Sequence, residues 1–159
     1  MVFSIVLGAA LTSFVPEWNF EKGEDLDAWR PNAHLRNVRL QDGVVSAEAM
    51  DWDPFFLNRT VQFQTTPYQY VVIRIKADRP GVAELFWSGS LEGEYGGLTE
   101  AKKVRLGLKG DGRWEELVLF PFWHPEGTIR QLRLDLYNGA HFDIDSISIL
   151  DLSLIHISE

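Results

Sequence analysis

Gln131-Leu132-Arg133-Leu134-Asp135-Leu136-Tyr137-Asn138-Gly139-Ala140-His141-Phe142-Asp143-Ile144-Asp145 holds two alternating runs around an Asn-Gly pair. Leu132, Leu134 and Leu136 point one way, while Gln131, Arg133 and Asp135 point the other. Such alternation marks a β-strand with one face in a core and one in water. The pattern recurs upstream. Val71, Ile73 and Ile75 oppose Arg74 and Lys76, and Val104, Leu106 and Leu108 oppose Lys103 and Arg105. Turn residues separate the runs at short intervals. Gln41-Asp42-Gly43 divides His34–Leu40 from Val44–Ala49 and has a hairpin signature. Asp78-Arg79-Pro80-Gly81 divides Val71–Ala77 from Val82–Trp87. Lys109-Gly110-Asp111-Gly112 divides Val104–Leu108 from Trp114–Phe120, and Asn138-Gly139 divides Ile129–Tyr137 from Phe142–Leu150. No stretch carries apolar residues at helical spacing over three turns. Roughly nine or ten strands predict an all-β fold, a two-sheet β-sandwich of the jelly-roll type.

Composition narrows the chemistry. A chain of 159 residues has room for one such domain. The net charge of −8 argues against nucleic acid and against docking on anionic lipid, both of which need a basic surface. The absence of cysteine excludes disulfides, thiol nucleophiles and Cys-ligated zinc.

Neither end reads as part of the sandwich. Val2 to Val15 is an apolar run that stops at Pro16. It is shorter than the ~20 residues a membrane span needs but suits the core of a secretory signal. Residues 1–16 are therefore expected to be a signal peptide, although no Lys or Arg precedes Lys22. The implied location is extracytoplasmic, with no membrane contact once the signal is removed. Leu152-Ser153-Leu154-Ile155-His156-Ile157-Ser158-Glu159 resembles translated read-through of a sequencing adapter. Residues 152–159 are expected to be a non-native tail, the domain to span 17–151, and the parent protein to be longer.

Catalytic signatures are missing. There is no Gly-x-Ser-x-Gly, no His-Glu-x-x-His and no phosphate-binding glycine loop. Carboxylates come in close pairs, among them Asp51/Asp53, Glu92/Glu94 and Asp143/Asp145. Two residues apart on a strand, such carboxylates share a face and repel unless a cation or solvent intervenes. Asn58-Arg59-Thr60 matches a glycosylation sequon, a frequent chance match.

Two motifs bracket the domain. Phe20-Glu21-x-Gly23 followed by Leu26-x-x-Trp29 opens it, and Phe142-Asp143-Ile144-Asp145-Ser146-Ile147-Ser148-Ile149 closes it. Together they resemble the galactose-binding-like jelly rolls that include many carbohydrate-binding modules. The resemblance implies a β-sandwich and a glycan or polysaccharide as partner. It also implies a structural calcium near the meeting of first and last strands, with Glu21 and Asp145 at the matching positions.

Six tryptophans then need sorting. Trp18 and Trp29 flank the opening motif and read as core, and Trp114 as core or edge packing. Trp52 sits in the polar turn Met50-Asp51-Trp52-Asp53-Pro54, and Trp87 precedes a long Gly-rich loop that contains Tyr95. Trp123 stands between two prolines in a second long loop. Trp52, Trp87, Tyr95 and Trp123 are the expected stacking platforms for sugar rings, with Arg133 and Asp135 as hydroxyl partners. The expected function is a non-catalytic carbohydrate-binding module of an exported, longer protein. The alternatives are an accessory sandwich packed on a catalytic domain of the same chain and, last, a glycoside hydrolase or lyase using a carboxylate pair.

Overall fold

The computed structural model describes residues 15–153. The signal-peptide expectation for residues 1–14 and the adapter-like residues 154–159 lie outside that range. Thirteen strands run in the order β1 (Glu17–Trp18), β2 (Arg30–Pro31), β3 (Leu35–Gln41), β4 (Val44–Ala49), β5 (Phe55–Asn58), β6 (Phe63–Gln64), β7 (Gln69–Ala77), β8 (Gly81–Ser88), β9 (Lys103–Leu108), β10 (Glu115–Leu119), β11 (Thr128–Ile129), β12 (Gln131–Asp135) and β13 (His141–Asp151). One short helix, α1 (Gly23–Ala28), falls inside the opening motif, where a strand-only reading did not place it.

Two antiparallel sheets carry the fold. Sheet one has the order β10-β7-β13-β4-β3, with β1 also paired to β13. Sheet two has the order β2-β5-β12-β8-β9, and β6 pairs with β11 at one end of the sandwich. The core lies between the sheets: Ile73 and Ile75 from β7, Leu85 from β8, Leu134 from β12 and Phe142 from β13 are inaccessible to solvent. The alternation read from the sequence thus puts the aliphatic residues inward, as one buried face per sheet requires.

The turns divide into two kinds. Asp42 and Gly43 both have positive φ, and Gln41 pairs directly with Val44, which makes β3-β4 a two-residue hairpin. The other three turns carry the chain from one sheet to the other: β7 to β8, β9 to β10, and β12 to β13. They meet at the same end of the sandwich. The Tyr137 hydroxyl donates to the Arg79 carbonyl at 2.5 Å, and the His141 N–H donates to Asp78 Oδ1 at 2.8 Å. Gly110 has a φ of 65° and lies so close to the Arg79–Pro80 backbone that a Cβ would come within 1.9 Å of it. Only glycine fits there.

Both margins of the expected domain join the fold. Ile149 N–H donates to the Pro16 carbonyl at 3.1 Å, and Leu152 N–H donates to the Tyr68 carbonyl at 3.0 Å. A β-bulge between Ile144 and Ser146 shifts the register of β13 against β7. It keeps Ile144 and Ile147 both buried although they are three residues apart.

Candidate functional site

Trp87 and Trp123, expected as loop platforms, are core residues. Trp123 is 0% exposed and Trp87 is 4% exposed. Trp87 lies opposite Leu132 in the β8-β12 pair, so parity turns it inward. Trp123 sits edge-on to Phe63 at 5.2 Å and to Trp87 at 6.1 Å, and its Nε1–H donates to Gln69 Oε1 at 3.0 Å. Its loop folds back to close the end of the sandwich, and the flanking prolines do not reveal that from sequence. Trp18 and Trp29 are core as expected, meeting edge-on at 5.3 Å.

Tyr95, Arg133 and Asp135 meet on the outward face of sheet two. Antiparallel partners directly opposite one another share a face. The register therefore builds two adjacent rows across the strands. One row is Arg30, Leu57, Arg133, Phe86 and Lys103; the other is Phe55, Asp135, Glu84 and Arg105. Arg133 is at the centre. Its guanidinium lies over the rings of Phe86 at 4.6 Å, Phe55 at 4.8 Å and Tyr95 at 5.9 Å. Nε and Nη2 donate to the two carboxylate oxygens of Asp135 at 2.6 and 2.9 Å, a bidentate fork. Arg133 and Asp135 are each only 14% exposed.

Tyr95, 47% exposed, reaches this face from the loop between β8 and β9. Three side chains hold the loop. Gln131 Nε2 donates to the carbonyls of Ser90 and Tyr95 at 3.2 Å each, and Ser88 Oγ–H donates to the Gly96 carbonyl. Arg59 donates to the carbonyls of Leu91 at 2.8 Å and Glu94 at 3.3 Å. Gly96 has positive φ, and a Cβ there would overlap Gln131 Nε2. The ring of Tyr95 is thus pre-positioned beside Arg133, which lowers the entropy lost when a ligand orders it.

Charges at the centre of the face and towards β9 are mutually compensated. Lys103 Nζ contacts Glu84 at 2.6 Å and also Glu100, while Arg105 stands 3.7 Å from Glu84. Burial, with Asp53 and Glu84 nearby, pushes the Asp135 carboxyl up to about 6 against the pull of Arg133. Trp52, in the turn that leads into β5, is 83% exposed, with His34 edge-on at 5.7 Å. Phe55 and Phe86 escaped notice in the sequence because strand pairing, which parity does not reveal, brings them to Arg133.

The closing motif has another role. Asp143 accepts from Ser46 Oγ at 2.5 Å and lies 3.8 Å from Lys76, and Asp145 lies 3.3 Å from Arg74. These cations resolve the repulsion expected of the pair. Glu21 packs its carboxylate against Gly43. Among the described residues no three His, Asp or Glu side chains cluster to hold a metal. Calcium takes six to eight oxygens, so a calcium held through Glu21 and Asp145 would draw most of its ligands from backbone carbonyls and would compete with Arg74 for Asp145. Asn58 of the sequon is fully buried, its Oδ1 accepting from the Thr60 and Val61 N–H groups.

No protein-family model and no curated protein sequence matches this chain. Solved structures do match. The C-terminal family 6 carbohydrate-binding module of LamC, a marine laminarinase from Zobellia galactanivorans, aligns at a TM-score of 0.56 and 11% identity, over 87% of this chain and 100% of that one. The low-affinity xylan-binding module CBM86 of Roseburia intestinalis aligns at 0.57 and 13%, over 89% and 96%. The second N-terminal cellulose-binding domain of β-1,4-glucanase C from Cellulomonas fimi aligns at 0.54 and 14%, over 88% and 94%. This chain has the β-sandwich fold of such modules.

Proposed function

We propose that this chain is a non-catalytic carbohydrate-binding module of an exported protein and that it holds glycan on the outward face of sheet two. The observation that carries the reading is the Arg133 cluster. A half-exposed tyrosine ring, a guanidinium packed on three aromatic rings and two carboxylates share one surface. Sugar rings are apolar on their C–H faces and polar at their rims. Tyr95 supplies the flat apolar partner, and Arg133, Asp135 and Glu84 supply fixed donors and acceptors for hydroxyls. Only two of the five guanidinium N–H donors of Arg133 are spent on Asp135, so others remain for ligand oxygens. The likeness in fold to modules whose names state xylan or cellulose binding supports the same reading.

Binding is favoured over catalysis because the carboxylates here are tied down. Asp135 is held by Arg133 and Glu84 by Lys103, which suits fixed hydrogen bonding better than proton transfer. Affinity electrophoresis through gels cast with soluble polysaccharides tests the proposal. Retardation by at least one polysaccharide is expected, and Tyr95→Ala should weaken it about tenfold while leaving the melting temperature within a few degrees. Retention of full binding by Tyr95→Ala would remove this face from consideration.

A second reading has its own observation. On the outward face of sheet one, Tyr70 packs beside Phe120 at 6.0 Å, and Phe120, Val118 and Leu150 are exposed. Contiguous apolar surface of this kind suits a protein partner such as a catalytic domain of the same chain. If that domain loses stability when this one is deleted, packing accounts for the patch.

A further inference from the structure

Beside the Arg133 row lies a recess of about 250 Å³ lined by Ala28, Arg30, Leu57, Arg59 and Thr60. Arg30 stands opposite Leu57, and Leu57 stands opposite Arg133, so the recess continues the same surface. Its charge is unlike that of the rest of the face. Arg133, Lys103 and Arg105 each have a carboxylate within 4 Å. Among the described residues Arg30 and Arg59 make no ion pair, and no acidic residue lines the recess. Arg59 does donate to two backbone carbonyls, but these are neutral and leave its charge uncompensated. The chain carries 23 acidic residues against 15 basic ones, so two arginines that share a pocket without a counter-charge run against its bias.

We infer that the glycan bound by this face is anionic and that Arg30 and Arg59 receive its acid group. The inference rests on the glycan-binding reading and narrows it to one ligand class. The guanidinium is planar and forked, which matches the paired oxygens of a uronate carboxylate or a sulfate ester. Leu57 and Ala28 offer an apolar floor for the ring that bears the acid. The Thr60 hydroxyl, which donates to Asn58 Oδ1 at 3.1 Å, keeps its lone pairs free to accept from a sugar hydroxyl. An acid group seated here gains charge-assisted hydrogen bonds from the arginines that line the recess, a gain that a neutral sugar does not supply.

The test uses polygalacturonate and its fully methyl-esterified form, and dextran sulfate and plain dextran, with affinity read by titration calorimetry. One of the two acidic polymers is expected to bind about tenfold more tightly than its neutral counterpart, and whether it is the carboxylated or the sulfated one identifies the acid. Arg30→Gln should cost about tenfold on that polymer. Arg39→Gln, an exposed cation on sheet one, should leave the affinity unchanged. Equal loss with Arg39→Gln would mean diffuse polyanion attraction and would overturn the assignment. So would equal binding of the neutral and acidic partners in both pairs, in which case glycan binding stands and its anionic character fails. Failure of every polysaccharide, neutral or acidic, in both this assay and the gel assay would defeat the glycan reading itself.

Discussion

Replacing Arg133 by Met probes the centre of the site. Methionine keeps an unbranched apolar stem against Phe55 and Phe86 but removes the charge. Asp135 then faces Glu84 and Asp53 with no partner. Removing one member of a buried ion pair costs about 3–5 kcal/mol, and some residual solvent exposure here brings the expectation to about 2–4 kcal/mol at pH 7.5. The loss should depend on pH in a definite sense. In the native protein the Asp135 carboxyl sits up at about 6, so it is ionised and paired at pH 7.5. In Arg133→Met the lone carboxyl is driven higher still and stays protonated from pH 7.5 downwards. Between pH 7.5 and 6 the variant therefore binds a proton that the native protein does not, and its deficit shrinks as pH falls. Linkage gives about 1.4 kcal/mol per pH unit, or roughly 1–2 kcal/mol recovered by pH 5 after allowance for solvent screening. Arg133→Met/Asp135→Asn should regain about half of the loss at pH 7.5, since an amide is neutral without taking up a proton. Urea unfolding followed by tryptophan fluorescence at pH 7.5 and pH 5 gives these numbers. A pH-independent deficit, or a double variant no more stable than the single one, would refute the reasoning.

Other outcomes follow from placement. Trp123→Ala should cost about 3–5 kcal/mol in chemical denaturation, because it empties a fully enclosed site and removes one of the two donors to Gln69 Oε1; near-native stability would contradict its burial. Addition of a strong chelator should leave the melting temperature unchanged, because Asp145 is already paired with Arg74; a marked fall would bring back a calcium held through Glu21 and Asp145. Binding by the Arg133 face should weaken as pH drops through about 6, since protonated Asp135 releases the guanidinium and loses its own acceptor strength; a flat affinity from pH 7.5 to 5 would exclude Asp135 from ligand contact.

Much of the site was readable residue by residue, and little of its assembly was. Parity placed Arg133 and Asp135 on a polar strand face, and they are neighbours on the outward face of β12. Tyr95 was readable as a loop aromatic, and it remains exposed. The two misplaced tryptophans share one cause. Position beside a loop says where a residue lies along the chain, while burial depends on which segment folds over it. Trp87 has a strand of sheet one's partner layer across from it only through pairing with β12, and Trp123 is enclosed because β6 and β11 join. Phe55, Phe86 and the recess between Arg30 and Arg59 come from segments up to nearly sixty residues apart, and no local pattern records such distances.

The alternating runs of this chain are a local property, and they alone establish strands, core faces and an all-β class: a side chain's parity along an extended backbone decides its face. Sheet membership is different. Asp42-Gly43 closes a hairpin, whereas Asn138-Gly139 carries Asp135 and Asp143 into opposite sheets, with Asp135 beside Arg133 and Asp143 beside Lys76. Both turns have the same residue chemistry. What separates them is which buried face the next strand must cover, and that is a matter of packing between segments remote in the chain.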